Sequence, residues 1–389
     1  MNILFVTGQF PNSEKTYLGG MSKAVYKCAQ GMEKHGHNVR ILSAGSEARR
    51  WKYRGISVIS VRASDGMQDS CMGMVYNIIN REIQFQKEIR RLDREKPIDV
   101  IHYAGWFGVG LFHGIRIPAV MRISSYSKVQ LDSVYQGAKG ICLNALERIA
   151  ISRMNVVYAP SRVMAIGVEK DTGRKVRVLE TPYDAEDWEP DIRIWEKKLK
   201  GKKYFLFFGR LSKDKGIYVI RDCLYEVLKH YPEMSFVFAG TSGNDDFIEG
   251  ELKKAAGVYR ERVIFMGRLS PVELTPVVAN AQMVVMPSLM DNFPNACAEA
   301  MALGKIVIGT DGSSLEQFIK HGYNGYLARI GDSDSLLEQM KYVMEMDEKD
   351  KMDISIHAKE RIAELSPTVY FNKLEKMYIR LCKHRRKQI

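Results

Sequence analysis

The segment from Gln282 to Glu316 constrains the fold most strongly, because two short apolar runs flank one helical run within it. The first apolar run, from Met283 to Met286, ends at a proline and a serine, which is typical of a strand buried on both faces of a parallel sheet. Asn295 is placed as an N-cap, and the Ala- and Met-rich residues after it predict a short buried helix that stops at Gly304. Strand, helix and strand in this order predict one crossover of a parallel α/β sheet.

Two acidic residues lie in the part of this crossover where a ligand would bind. Asp291 is in the loop, and Glu299 is one turn into the helix. The start of the helix leaves backbone N–H groups that can bind a phosphate. A carboxylate among Ala, Met and Leu needs hydrogen-bond donors, and the hydroxyls of a ligand are suitable ones. The structural alternative makes Asp291 a turn residue and Glu299 a partner of the helix dipole. From the residues alone, both interpretations stay open.

The start of the chain repeats the pattern. Asn2 to Thr7 predicts a strand, Met21 to Glu33 a helix and Asn38 to Ser43 a second strand, which together form a βαβ unit. Gly19 and Gly20 lie in the loop after the first strand, where paired glycines let the backbone approach a ligand. A plain flexible turn explains the two glycines as well. The Gly-x-Gly-x-x-Gly fingerprint of dinucleotide sites is absent.

Length and composition narrow the class of protein. A chain of 389 residues predicts two domains, and no run of about 18 apolar residues predicts a membrane span. The first residues form an apolar strand without a basic leader, which argues against a signal peptide. The six cysteines form no Cys-x-x-Cys pair, so reduced thiols are expected and a zinc site is not.

The formal net charge is +12, with basic runs around Arg81 to Lys96 and in the tail from Lys383 to Lys387. Such runs are solvated faces or surfaces for anionic lipid. The chain has no zinc-finger spacing and no RNP-like motif, so nucleic acid is not an expected partner.

The chain resembles the retaining glycosyltransferases of family 4, the glycosyl transferases group 1. Pro287-Ser288, Phe293 and the run Glu299 to Ala302 match the family pattern PSxxExFxxxxxEAMAxGxPVI, and Gly209 to Gly216 (GRLSKDKG) is similar to GRLxxxKG. The resemblance implies the α/β GT-B fold, with two Rossmann-like domains whose parallel sheets face a central cleft. The chain departs from the family at Asp291, where Glu is usual, and at Ser124, where many members have His.

The resemblance also implies roles for particular residues. Arg210 and Lys215 would hold the leaving diphosphate, Asp291 would meet the donor sugar and Glu299 the nucleotide ribose. Further donor-binding residues implied by the motifs are Gly19, Gly20, Gly209, Arg268, Phe293, Pro294, Asn295, Ala296 and Glu316. His102 and Ser124 are placed on the acceptor or sugar side, although a lone histidine at a strand end is otherwise structural. No metal ligand and no cofactor is expected, because no Asp-x-Asp motif follows a strand.

These inferences give an expected organisation and activity. Residues 1–190 are the acceptor-side domain, 191–365 the nucleotide-sugar-binding domain, and 366–389 a crossover helix that returns to the first domain, with a basic tail. The expected reaction is metal-independent, retaining transfer of a hexose-type sugar from a nucleotide-diphospho-sugar, with a UDP-sugar favoured. The acceptor is expected to be a glycan or a lipid-phosphate-linked molecule of surface polysaccharide or glycolipid biosynthesis. The expected location is the cytoplasm, with peripheral attachment to the anionic inner face of the membrane.

Two other functions remain compatible with parts of the sequence. Because Asp291 and Ser124 depart from the family pattern, the chain can be an inactive nucleotide-sugar-binding partner of an active transferase. The basic charge alone also fits a nucleic-acid-binding protein, which would bind oligonucleotides in a salt-sensitive way and ignore sugar nucleotides.

Overall fold

The structure is a computed structural model that describes residues 1–13, 20–64, 70–114, 116–123, 125–129, 137–184, 189–242, 247–291 and 293–386. The chain divides into two compact units. The first comprises Met1–Pro182 and Pro367–Ile389, and the second comprises Tyr183–Ser366.

The first unit is built on an eight-stranded sheet with the order β3-β4-β2-β1-β5-β6-β7-β8. Its strands are β1 (Asn2–Thr7), β2 (Asn38–Gly45), β3 (Arg49–Tyr53), β4 (Ile56–Arg62), β5 (Val100–Gly105), β6 (Ala119–Ile123), β7 (Val156–Ala159) and β8 (Arg177–Val178). All neighbouring strands are parallel except β3 and β4, which form an antiparallel edge hairpin. The central strands β1 and β5 are apolar almost throughout because both faces of the sheet are covered.

The helices of the first unit are α1 (Gly20–Lys34), α2 (Cys71–Glu95), α3 (Gly137–Ser152), α4 (Arg162–Thr172) and α12 (Pro367–Arg386). The Ser70 hydroxyl caps α2 by accepting a hydrogen bond from the Gly73 N–H at 3.0 Å. Helix α12 buries Tyr370, Leu374 and Tyr378, which are spaced four residues apart and therefore lie on one face of the helix. Burying a side chain such as Leu374 stabilises the unit by about 1.5–3 kcal/mol.

The second unit has a six-stranded sheet in the order β11-β10-β9-β12-β13-β14, in which all pairs are parallel. Its strands are β9 (Lys203–Phe208), β10 (Met234–Ala239), β11 (Val263–Gly267), β12 (Met283–Val285), β13 (Val307–Thr310) and β14 (Tyr326–Ala328). Its helices are α5 (Arg193–Leu199), α6 (Ile217–His230), α7 (Phe247–Ala255), α8 (Pro271–Ala279), α9 (Asn295–Ala302), α10 (Ser333–Glu345) and α11 (Glu348–Ala363). Short 3-10 helices span Lys213–Lys215, Gly257–Arg262 and Ser314–Gln317.

The prediction of an α/β chain with two parallel sheets is confirmed. The sequence predicts a strand from Ile98 to His102, and the segment from Ala150 to Pro160 resembles a strand of the family; both starting points are wrong for local reasons. The segment from Ile98 is not yet a strand, because the Ile98 N–H donates to the Asp93 carboxylate at 2.8 Å in the turn after α2. The segment beginning at Ala150 is still helical, and β7 begins only at Val156.

Candidate functional site

The loop that follows β9 carries the two predicted phosphate-binding cations. Gly209 leaves the strand at a φ of +135°, and its N–H donates to the Ala239 carbonyl at 2.9 Å. Arg210 then points into solvent, where its guanidinium pairs with the Asp214 carboxylate at 2.8 Å. Lys215 ends the 3-10 helix. The loop therefore holds the guanidinium and the ammonium group at the carboxyl end of a central strand, where parallel α/β sheets bind ligands.

Gly216 ends this loop in the left-handed region, with a φ of +73°. A Cβ atom here would overlap the carbonyl oxygen of Pro287, in the loop that follows β12. The Asp214 carbonyl accepts hydrogen bonds from the N–H groups of Leu289 and Met290, at 2.9 and 3.0 Å. Glycine is thus required for two loops to approach this closely, and backbone hydrogen bonds then fix one loop against the other.

The Lys215 ammonium forms an ion pair with the Asp291 carboxylate. The Asp291 side chain is 14% exposed and the Lys215 side chain 25%, so the pair is partly shielded but reachable from solvent. Two of the residues predicted to act on the donor, 76 positions apart in the chain, are therefore in direct contact. Lys215 has three N–H donors, so pairing with Asp291 leaves it able to bind a further anion.

Asp214 supports this loop electrostatically. Burial alone would raise the pKa of Asp214, but the Ser212 hydroxyl and the Arg210 guanidinium outweigh that effect, and the pKa is lowered. Asp214 is therefore an anion at neutral pH, and it orients Arg210.

Helix α9 begins at Asn295, and Pro294 is its N-cap residue. The prediction that Asn295 is the N-cap is wrong by one position. The Asn295 N–H donates to the Phe293 carbonyl at 2.9 Å, so the chain already turns before Asn295, and Pro294 makes no side-chain capping hydrogen bond. Phe293 is buried against Phe318, with ring centroids 5.0 Å apart, and this contact anchors the start of the helix.

The other predicted residues of this region occupy positions along α9 and in the loop after β13. Ala296 is in the first turn of α9, and Glu299 is half-buried one turn into the helix. Glu316 is exposed, and its carboxylate accepts a hydrogen bond from the Gly312 N–H at 2.7 Å. Arg268 is also exposed, but it follows the edge strand β11, two strands away from β9.

Buried hydroxyls beneath this loop were missed by the sequence analysis. The Thr310 hydroxyl donates to the Ser288 carbonyl at 2.5 Å, and the Ser313 hydroxyl donates to the Thr310 carbonyl at 2.8 Å. All three residues are buried. The sequence signal available for them is Thr310, a polar residue that ends an otherwise apolar strand, since a buried hydroxyl needs a hydrogen-bond partner.

In the first unit, the residues predicted to bind a ligand are Gly19, Gly20, His102 and Ser124. Gly20 is the first residue of α1, and Gly19 and Ser124 lie outside the described residues. His102 is 3% exposed, and its two ring nitrogens contact the Tyr378 hydroxyl at 2.6 Å and the Tyr158 hydroxyl at 3.2 Å. Burial, with a contribution from Arg122, lowers the pKa of His102 to about 3. The prediction that His102 faces the acceptor or sugar therefore does not fit, because its ring lies in the core beneath α12.

A cavity of about 600 Å³ lies at the carboxyl edge of the first sheet. Its lining comes from the ends of β1, β2 and β4 and from α2, and comprises Gly8, Gln9, Ala44, Gly45, Ser46, Arg62, Ala63, Ser64 and Asn80. Polar side chains and one cation at the carboxyl ends of parallel strands can hold a hydroxylated ligand.

Two features are absent from the described part of the chain: a cluster of side chains that could hold a metal ion, and a helix that could cross a membrane. Among the residues that the structure describes, no group of three or more His, Cys, Asp or Glu side chains is arranged to hold a metal ion. Within the same described ranges, no helix is long and apolar enough to cross a membrane.

Comparison with known proteins places the chain in a family. The family model described as Glycosyltransferase Family 4 matches residues 18–187, and the one described as Glycosyl transferases group 1 matches residues 189–361. An uncharacterized glycosyltransferase of Methanocaldococcus jannaschii is 26% identical over 360 residues, which cover 86% of this chain and 87% of that protein.

Solved structures share the fold over nearly the whole chain. Sucrose-phosphate synthase of Thermosynechococcus elongatus superposes with a TM-score of 0.78 at 16% identity, covering 98% of both chains. HepE of Anabaena, solved in complex with UDP and glucose, superposes with a TM-score of 0.72 at 17% identity, covering 97% of this chain and 99% of that one. The two family models together match most of the chain, and one relative aligns with it over most of its length. The two solved structures share its fold. This chain is therefore a glycosyltransferase of family 4, with the GT-B fold.

Proposed function

We propose that this protein is a retaining glycosyltransferase that moves a hexose-type sugar from a UDP-sugar to a glycan or lipid-phosphate-linked acceptor. The reaction serves the synthesis of a surface polysaccharide or glycolipid. The observation that carries the proposal is the contact between the loops after β9 and β12, in which Lys215 pairs with Asp291 and the Asp214 carbonyl binds two backbone N–H groups.

The leaving group explains why cations are needed at this edge of the sheet. When the bond between the anomeric carbon and the diphosphate breaks, negative charge grows on the phosphate oxygens while the sugar becomes cationic. Arg210, Lys215 and the backbone N–H groups at the start of α9 neutralise that charge. Removing one such contact typically costs about 10²–10³ in rate. Because these groups carry the neutralisation, the proposed reaction needs no metal and no cofactor.

The two acids bind the neutral parts of the donor. The Glu299 carboxylate accepts hydrogen bonds from the ribose hydroxyls, and the Asp291 carboxylate accepts them from the sugar. Gly209, Arg268 and Glu316 complete the proposed donor contacts of the second unit.

Retention requires that the new bond forms on the face that the diphosphate leaves. In the proposed step the bond from the anomeric carbon to the phosphate oxygen breaks, and a bond to the acceptor oxygen forms on the same face. The acceptor proton moves to the departing phosphate oxygen. His102 is too deeply buried to serve as the base, and a serine at position 124 is no base near neutral pH.

The donor and the location rest on separate observations. HepE, whose fold this chain shares, was solved with UDP and glucose, and this supports UDP as the nucleotide. The net charge of +12 supports an anionic acceptor at the inner face of the cell membrane, to which the protein attaches peripherally from the cytoplasm.

A second candidate is an inactive nucleotide-sugar-binding partner of another transferase. It is favoured by Asp291, whose side chain is one methylene shorter than the Glu that the family usually carries and is already paired with Lys215. This candidate binds the same donors but does not release the sugar.

The test is thermal unfolding of the purified chain with UDP-, GDP- and ADP-sugars, followed by a hydrolysis assay of any sugar nucleotide that binds. A donor at about 100 times its Kd stabilises the folded state by about 2.7 kcal/mol. We expect UDP-sugars to raise the Tm and to release free sugar slowly. A rise in Tm without turnover, even with acceptor extracts, supports the inactive partner. No rise with any nucleotide sugar contradicts the donor site.

A further inference from the structure

The first unit has a second concave surface, a groove of about 540 Å³ between the β3–β4 edge hairpin and α2. We call it the arginine groove. It is lined by Ala48, Arg49, Arg50, Ile59, Ser60, Val61, Arg62, Gln84, Lys87, Glu88 and Arg91. Five of these side chains are cationic and one, Glu88, is acidic; Glu88 pairs with Arg50 and Arg91.

The floor of the groove is rigid. Ile59, Ser60 and Val61 are buried in β4, and the Ser60 hydroxyl donates to the Glu47 carbonyl at 2.7 Å. Strand β3 pairs with β4 along its whole length, with Arg50 opposite Ile59. The cations therefore extend from paired strands and from a 25-residue helix and not from a loose loop.

Three of the cations are held in place. Arg50 contacts the Glu95 carboxylate at 2.9 Å, and Arg91 contacts the same carboxylate at 3.3 Å. The Arg49 guanidinium lies over the Trp51 ring, 4.5 Å from its centroid. Side chains fixed in this way lose less conformational freedom when they bind an anion.

The other two cations are not neutralised. Arg62 and Lys87 are both exposed, and neither forms an ion pair with any residue in the described part of the chain. Arg62 and Lys87, which form no ion pair within the described residues, lie beside three arginines whose side chains are held by their contacts. Such a surface favours a compact anion with several oxygens. A phosphate fits best, since guanidinium groups bind its oxygens in pairs.

Arg62 connects this groove to the cavity at the carboxyl edge of the first sheet, because it lines both. We propose that the arginine groove binds a phosphate or diphosphate group of the acceptor while the neighbouring cavity holds the acceptor's sugar or alcohol. This proposal rests on the proposed function. It names the substrate class as a phosphorylated acceptor, which can be a lipid headgroup or a soluble sugar phosphate.

The test uses inorganic pyrophosphate as the probe in calorimetric titrations of the full chain. Because pyrophosphate can also bind at Lys215, the titration is done on the Lys215→Ala protein. In that background, Arg62→Gln with Lys87→Gln removes the two unpaired cations. The matched control is Lys170→Gln with Lys175→Gln, which removes the same charge from exposed positions in the same unit.

We expect pyrophosphate to bind the Lys215→Ala protein and its Lys170→Gln/Lys175→Gln control equally well. The Arg62→Gln/Lys87→Gln protein should bind it about 5- to 30-fold more weakly, as two lost ion-pair contacts imply. Equal weakening by both double substitutions, or no binding in the Lys215→Ala background, overturns the proposal. Circular dichroism spectra of the variants establish that each is folded.

Flotation with vesicles separates the two sources of the phosphate. Vesicles of phosphatidylcholine are compared with vesicles of phosphatidylcholine and phosphatidic acid. Binding to the phosphatidic acid vesicles that depends on Arg62 and Lys87 identifies a lipid headgroup. Pyrophosphate binding with no such vesicle binding identifies a soluble phosphate. Failure of the proposed function looks different: wild-type protein then shows no Tm rise with any nucleotide sugar, while pyrophosphate binding in the Lys215→Ala background persists.

Discussion

Glu147 is a carboxylic acid that the fold buries almost completely in the first unit. Its carboxylate accepts hydrogen bonds from the Ser127 N–H at 2.9 Å and from the Ser127 hydroxyl at 2.7 Å. Burial raises the pKa of Glu147 to about 7, because these hydrogen bonds only partly offset the cost of placing a charge in the core. Glu147 therefore titrates near neutral pH in the folded protein, and its protonation is linked to stability.

The folded pKa lies above the unfolded value of 4.5, so the folded state holds the proton more tightly. This contribution to stability is full below pH 4.5 and is lost as the pH rises to about 7. In urea unfolding, we expect Glu147→Gln to gain about 2–3 kcal/mol relative to wild type between these limits, because the amide does not titrate. Glu33→Gln, at an exposed position, is the control. Parallel pH profiles for wild type and Glu147→Gln would show that the buried acid does not titrate there.

His102 shows what sequence cannot reveal about a single residue. Its place near the end of an apolar run is readable, and this made it a candidate for ligand binding. Its partners are not readable, because Tyr378 is 276 positions away and Tyr158 is 56 positions away. Tyr158 reaches the imidazole from β7, and Tyr378 does so only because α12 returns to the first unit. Together they turn His102 into a buried structural residue.

The packing of the loop after β9 against the loop after β12 depends on Gly216. Any side chain here meets both a left-handed backbone and the Pro287 carbonyl oxygen. The loops must then separate, which breaks the hydrogen bonds from Leu289 and Met290 to the Asp214 carbonyl.

We therefore expect Gly216→Ala to lower the free energy of unfolding by about 2–4 kcal/mol, combining backbone strain with a steric clash. The matched control is Gly201→Ala, since Gly201 has a φ of +78° but no atom within 4 Å of a Cβ at that position. The control carries the strain alone and should cost about 1 kcal/mol. Chemical denaturation of the two variants gives the comparison, and equal losses would mean that the loops tolerate separation.

Elements formed by local interactions can be predicted from the sequence, whereas contacts between distant residues cannot. Apolar runs and turn residues are local signals, so the sequence predicts β1 with its observed bounds and α1 within one residue at each end. The helix cap at Pro294 was missed because a proline without a capping side chain gives no capping signal. The ion pair between Lys215 and Asp291 joins separate loops, and periodicity cannot predict it. The resemblance of two motifs to one family brought these residues into one site.

At the scale of the whole molecule, the chain forms two parallel-sheet units, and each has a candidate site at the carboxyl edge of its sheet. In the second unit that site has the cations, helix start and acids suited to a nucleotide-diphospho-sugar. In the first unit it has a polar cavity beside a groove of arginines. This difference in charge and lining supports a donor in one unit and a phosphorylated acceptor in the other.

The role of Lys215 in the proposed reaction is tested by the rate at which the Lys215→Ala protein releases sugar from the preferred UDP-sugar. The control is Lys213→Ala, two residues away in the same 3-10 helix and exposed. We predict that Lys215→Ala lowers turnover by about 10²–10³ with the fold intact, because the leaving diphosphate loses its ammonium partner, while Lys213→Ala stays near wild type. Equal turnover by the two variants would contradict the assignment of Lys215 to the leaving group.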